Sequence, residues 1–142
     1  MGVNRYNSER YYDPTAHEAL TNIEKEQKPK KKIVFICSPY AGDVEGNVMR
    51  AKRYGRFAVT EQVIPIVPHL MYPQFLFDDD PAERKLGLQM GLVLLTKCQE
   101  LWVFGPKIST GMAIEIDKAK RYNKPIRYFT VGCKPQEVAG NE

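Results

Sequence analysis

No apolar stretch in this sequence approaches the roughly 18 residues that a membrane-spanning helix needs. The longest, GLVLLTKC at residues 91–98, already includes a lysine. The N-terminus is polar and has no apolar h-region of the kind that opens a secretory signal. Cysteine is scarce and odd in number: Cys37, Cys98 and Cys133 show no C-x-x-C spacing, and two of them lie in apolar runs. Buried free thiols therefore fit better than disulfides or metal ligands, and a reducing compartment is expected. A large excess of one charge is also missing: 21 Lys and Arg stand against 17 Asp and Glu, a formal net charge of +4. Five of the positives are Lys25 and the lysines of KPKKK (28–32), so the remainder is close to neutral and composition argues against a nucleic-acid clamp. These absences predict a soluble, cytoplasmic protein with no membrane contact and no nucleic-acid partner.

What is present, in 142 residues of which 43% are hydrophobic, suffices for one ordinary core and not for two. Residues 1–32 are polar, carry no strand-like run and end in the lysine cluster, so they read as an arm or linker. Asp13 and Pro14 can start a short helix there, with Ala16, Leu20 and Ile23 as a weak apolar stripe. Residues 33–131 read as the folded domain and 132–142 as a flexible tail.

Within the domain, IVFICS (33–38) is a continuous β-branched and aromatic run, as expected of a strand buried on both faces of a parallel sheet. SPYAGD interrupts it. From Val44 the apolar positions Val48, Ala51, Gly55 and Ala58 recur at steps of three and four, which predicts an amphipathic helix with its arginines and lysine outside. VIPIVP (63–68) is a second strand, and Pro65 places it at a sheet edge. PHLMYPQFLFDDD (68–80) reads as a long loop, and a connection of that length is more often functional than idle. Asp80, Pro81 and Glu83 then start a helix running to about Lys97, whose GLVLL half is apolar nearly all round and is expected to be deeply buried. ELWVFG (100–105) is the third strand, 110–123 a helix and PIRYFT (125–130) the fourth strand.

Alternation of strand and helix at this spacing predicts right-handed crossovers and a flavodoxin-like, doubly wound parallel sheet of order 2-1-3-4, with a fifth strand available from a terminus. The ligand crevice of such a sheet opens where the winding reverses, between the first and third strands, and is bordered here by SPYAGD and GPKISTG. Ser109 or Thr110 can cap the helix that follows, and Gly111 allows close approach of backbone to an anion. Counting about 100° per residue, Glu115 falls ~60° from Met112, at the border of the apolar face that Ile116 and Ala119 share. Two readings stay open for it: a surface acid paired with Lys118, or a carboxylate projecting over the crevice.

SPYAGD, CQELWVFG and STGMAIEIDKA together resemble the nucleoside 2-deoxyribosyltransferase superfamily over most of residues 33–130. SPYAGDVEGNVMRAKRY, PHLMYPQF, DDDPAER and ELWVFG with STGM are more closely similar to its DUF4406-like branch, common in phage and mobile elements. The resemblance implies that Glu115 is the nucleophile that attacks the anomeric carbon, giving an N-ribosyl hydrolase or transferase that works through a glycosyl-enzyme intermediate. It implies that Ser38, Pro39 and Tyr40 form the loop packing on the base or sugar. Ser109, Thr110 and Gly111, with Gly105 and Met112 around them, would hold the 5′ end. Asn47 and Arg50 lie on the first helix near the crevice and could meet a phosphate, although Arg50 fits better as a side chain snorkelling at the surface. The sequence departs from the superfamily pattern in the helix before the third strand, where the usual aspartate falls near Gly91. A general acid would then come from His69 or from Asp78, Asp79 or Asp80. Tyr72 and Phe75 can form a lid against the base or equally well pack in the core. Consecutive acids point in different directions and Asp80 has a helix to cap, so no metal is expected, and no cofactor either. FMN would need a hydroxyl-rich phosphate loop after the first strand, which is missing. The expected partner is a nucleoside or nucleotide, bound for catalysis or, alternatively, by a non-catalytic sensing module, and related folds imply a homo-oligomer.

Overall fold

The computed structural model describes residues 15, 16, 18–20 and 30–137. The chain divides between Lys31 and Lys32. Before that division residues 15, 16 and 18–20 are helical, while Asp13, Pro14 and Ile23 of the expected arm helix lie outside the described residues. After it come β1 (Ile33–Cys37), α1 (Val44–Thr60), β2 (Ile64–Ile66), a short α2 (Pro68–Met71), a 3-10 turn (Tyr72–Gln74), α3 (Pro81–Lys97), β3 (Glu100–Phe104), α4 (Thr110–Arg121) and β4 (Ile126–Phe129). The strands form one parallel sheet in the order β2-β1-β3-β4. β2, whose Pro65 cannot donate to a ladder, is an edge strand as its sequence required.

Period-two alternation divides the core between the two faces of the sheet. Phe35, Cys37, Leu101 and Val103 point toward α3 and α4, where they meet Leu95, Met112, Ile116 and Ala119. Val34, Ile36, Trp102, Phe104 and Phe129 point toward α1, where they meet Tyr54 and Ala58. This second face is built largely of rings: Tyr54 stacks on Phe104 at 4.2 Å, Phe104 on Phe129 at 5.0 Å, and the Arg127 guanidinium lies 4.9 Å from the Trp102 ring. Trp102 donates its indole N–H to Glu100 at 2.8 Å, and Lys32 binds the other carboxylate oxygen at 2.8 Å, so this buried carboxylate keeps its charge.

Three sequence expectations change. The segment 68–80 is not an open loop, because Pro68 at a first helical position and Pro73 after it nucleate α2 and the 3-10 turn. In α3 only Gly91 and Leu95 are buried, and Val93 is 61% exposed, since a helix laid on one face of a sheet can cover only one stripe however apolar its other side. In α1 the buried stripe runs Asn47, Ala51, Tyr54, Gly55, Ala58 in place of the line through Val44 and Val48. The segment after β4 folds back on that strand: Thr130 N–H binds Lys134 O at 2.8 Å, Gln136 N–H binds Tyr128 O at 2.9 Å, and Pro135 bridges Phe129 antiparallel. Residues 138–142 lie outside the described residues.

Candidate functional site

Asp43 caps α1 by accepting from Gly46 N–H at 3.1 Å, and Asp80 caps α3 by accepting from Ala82 N–H at 2.9 Å. Ser109 caps α4: its hydroxyl accepts from Met112 N–H at 3.2 Å, while Ser109 N–H points at the Met112 sulfur at 3.5 Å. Gly105 makes the preceding turn possible with φ of +96°, a conformation that costs an L side chain energy. α4 thus begins at the carboxyl edge of the sheet, and its second turn carries Glu115 down beside β1.

Glu115 is buried, with 6% of its surface exposed. It is not an ion-paired surface acid. Lys118 lies instead over the Tyr122 ring at 4.9 Å, and the ion pairs among the described residues all involve other carboxylates. Burial pushes the Glu115 carboxyl up to about 7, with a smaller opposing pull from hydrogen bonding to the Cys37 thiol. The thiol is held well above its ordinary range by burial first and by the nearby Glu115 charge second, and its Sγ lies 3.8 Å from Met112 O. Cys37 is therefore a neutral thiol beside the carboxyl. The sequence marked it as buried but gave no sign of this neighbour, because strand alternation assigns a face only once pairing is known.

A cleft of about 600 Å³ opens beside Glu115 on the α3 and α4 side of the sheet, within the range of sites that enclose small ligands. Ser109, Thr110, Gly111, Met112 and Glu115 form one wall, and Tyr40, His69 and Tyr72 face them. The floor includes Leu88 and Gly91 of α3, and the rim carries Asp78, Glu83, Arg84 and Lys85. His69 Nε2 lies 2.8 Å from Ser38 O, and its ring centre is 5.1 Å from that of Tyr40. A carbonyl only accepts, so Nε2 carries the proton; burial lowers the imidazole pKa against smaller upward pulls from Ser38 O and Asp78, which leaves Nδ1 as an acceptor in the neutral ring.

A second cleft, of about 420 Å³, lies on the α1 side of the same crevice. It is walled by Pro39, Asn47, Arg50, Gly105, Lys107 and Ser109 among others. Asn47 donates its amide to Tyr40 O at 2.9 Å and Ala41 O at 3.1 Å, which ties α1 to the loop after β1.

The twelve residues singled out from sequence thus separate. Glu115, Tyr40, His69, Ser109, Thr110, Gly111 and Met112 meet around the first cleft, and Pro39, Asn47 and Gly105 around the second. Ser38 is buried beneath them, with a hydroxyl that has no hydrogen-bond partner among the described residues. Asp80 is not brought to either cleft: its carboxylate is occupied in capping, and Asp78, two residues earlier, is the loop acid that reaches the rim, held by Arg84. Arg84, Lys85 and Leu88 were not singled out; their helix reads as a uniform apolar and basic surface, and only the tertiary placement of α3 exposes their role as walls. Among the described residues no group of three His, Cys, Asp or Glu side chains is placed to hold a metal, and no helix is long and apolar enough to cross a membrane.

A family model described as a domain of unknown function, DUF7768, matches residues 32–129, where the sequence had suggested the DUF4406-like branch. No curated protein matches. Among solved structures, a 2-deoxyribosyltransferase from the psychrotolerant bacterium Bacillus psychrosaccharolyticus, described as a biocatalyst for the synthesis of antiviral and antitumoral nucleosides, superposes with a TM-score of 0.57. The match covers 69% of this chain and 72% of that one at 13% identity, a likeness of fold.

Proposed function

We propose, for a chain that belongs to the DUF7768 family, that the first cleft binds a nucleoside or nucleotide and that Glu115 acts on its N-glycosidic bond. The observation that carries this reading is a buried carboxyl with no cation paired to it among the described residues, standing in the wall of a ligand-sized cleft at the crevice of a doubly wound sheet. A structural acid in that position would have a counter-charge or several hydrogen-bond donors.

The chemistry follows from the surroundings. With its proton released, Glu115 presents a poorly solvated carboxylate to the anomeric carbon. As the bond to the base breaks, that carbon gains positive charge, and the carboxylate stabilises it more strongly in an apolar wall than it would in water. An oxygen of Glu115 forms the bond to the anomeric carbon while the electron pair of the breaking C–N bond leaves with the base. Water or a second base then displaces the carboxylate with overall retention. His69, with Nε2 committed to Ser38 O, offers Nδ1 as an acceptor, which suits drawing a proton from the attacking water and not protonating the departing base. Asp78, held by Arg84, and Glu83 are the other carboxyl groups that line this cleft.

A second reading, a nucleotide-sensing module without turnover, is favoured by Gly91. This glycine lines the cleft where the deoxyribosyltransferase pattern would carry an acid, and an added Cβ would sit 3.9 Å from the Phe35 ring, an ordinary contact. One experiment separates the two. Incubation with a panel of nucleosides and their 5′-monophosphates releases free base if the protein is an enzyme, and Glu115→Gln abolishes release while the ligand still binds. Thermal stabilisation by a ligand with no base released supports the sensing module. If nothing in the panel binds or is cleaved, both readings fail.

A further inference from the structure

We infer that the second cleft is an anion subsite and that the ligand is a nucleoside phosphate and not a free nucleoside; this rests on the reading above, in which the sugar lies against Glu115. Arg50 and Lys107 both stand in the walls of this cleft, and no carboxylate does. All hydrogen bonds of the Arg50 guanidinium to protein run through Nη2, to Asn47 Oδ1 at 2.8 Å and Asp43 Oδ2 at 3.5 Å. Its Nε and Nη1 donors are left without an acceptor among the described residues, while Asn47, fixed by two backbone carbonyls, holds the group in place. Lys107 has neither acceptor nor counter-charge among the described residues. An arginine fork held through Nη2 by Asn47 and by the exposed carboxylate of Asp43, and open at Nε and Nη1, suits a phosphate, which offers several acceptor oxygens.

The two clefts share a wall. Ser109 lines both, and of the adjacent residues Pro39 and Tyr40 the first lines one cleft and the second the other. A ribosyl ring held beside Glu115 can therefore send its 5′ substituent past Ser109, over the carboxyl ends of β1 and β3, to Arg50 and Lys107. The sharing of labour is physical: the apolar cleft takes base and sugar, and the cationic cleft takes charge.

The test is calorimetric titration, at low salt, of adenosine, guanosine, cytidine and uridine, their 5′-monophosphates and inorganic phosphate, into the wild-type chain, Arg50→Gln and Lys107→Gln. For the base that fits, the monophosphate should bind on the order of tenfold to a hundredfold more tightly than its nucleoside, the effect of adding charge-assisted hydrogen bonds. That ratio should fall toward one in either variant and shrink with added salt. Lys107 is exposed and makes no internal bond, so its variant reports on binding even if Arg50→Gln disturbs α1. Equal affinity for nucleoside and monophosphate, or a preference that survives both substitutions, overturns the subsite while leaving the nucleoside reading intact. Phosphate binding that depends on Arg50 and Lys107, with no binding of any nucleoside or monophosphate, overturns the substrate class together with the reading beneath it.

Discussion

Replacing Glu115 by glutamine should make the protein more stable, and by an amount that depends on pH in a defined way. Burial raises the carboxyl from an ordinary value of 4.5 to about 7. At about 1.4 kcal/mol for each tenfold change in proton affinity, keeping the group ionised in the folded chain costs ~3 kcal/mol. A carboxyl whose folded value lies above its unfolded one favours the fold when protonated, so its contribution is fully present below about pH 4.5 and is lost as pH rises through 7. Glutamine has nearly the same shape and never ionises. Wild type and Glu115→Gln should therefore be close in stability near pH 5, diverge between pH 5 and 7, and differ by about 3 kcal/mol in favour of the variant at pH 8, on the order of 10 °C in melting temperature for a domain of this size. Urea denaturation followed by the fluorescence of Trp102, the only tryptophan, measures the difference at each pH. A variant less stable than wild type at pH 8, or a gap that does not change with pH, would refute the reasoning, since either would mean that a counter-charge already compensates Glu115.

Glu100→Ala should cost roughly 1–3 kcal/mol by stranding the buried Trp102 N–H, and should shift the emission of that indole; a loss under 0.5 kcal/mol would show that solvent reaches the ring. Asp80→Ala should lower stability by about 1 kcal/mol through loss of the α3 cap, with base release, where present, unchanged in kcat; a large drop in kcat would return Asp80 to the site. Gly105→Ala forces a methyl-bearing residue to φ near +96° and should destabilise by about 1–2 kcal/mol in a denaturant titration although the methyl group would meet only Val131, at an ordinary contact of 3.9 Å.

Much of the architecture was legible because it rests on local regularities. IVFIC and LWVF are continuous apolar runs, which only a strand covered on both faces can use, and Pro65 allowed β2 no position except an edge. Helical periodicity was enough to bring Glu115 to the border of its apolar face. The rest depends on distance in space and not in sequence. Nothing in positions 37 and 115 announces that a thiol and a carboxyl touch. Asp78 and Asp80 are chemically identical in a row of three, and only the turn into α3 decides which one caps and which one reaches the cleft. The apolar excess of α3 misled in the same way: Val93 and Leu95 read alike, but the side of the sheet on which the helix lies exposes one and buries the other. The cationic cleft was invisible as a unit because Arg50 and Lys107 are 57 positions apart, one on α1 and one in the loop before α4.

The sheet separates two kinds of filling, interlocked rings beneath α1 and, beneath α3 and α4, mostly aliphatic chains with a methionine, two cysteines and the buried ring of Phe35. Flat rings in contact leave few alternative arrangements, whereas Leu, Ile and Met can redistribute their volume at modest cost. The half of the molecule next to Glu115 is thus the more plastic one. A cavity there can be enlarged, narrowed or reshaped for a different guest by exchanging aliphatic side chains, while the aromatic half continues to hold the strands in register.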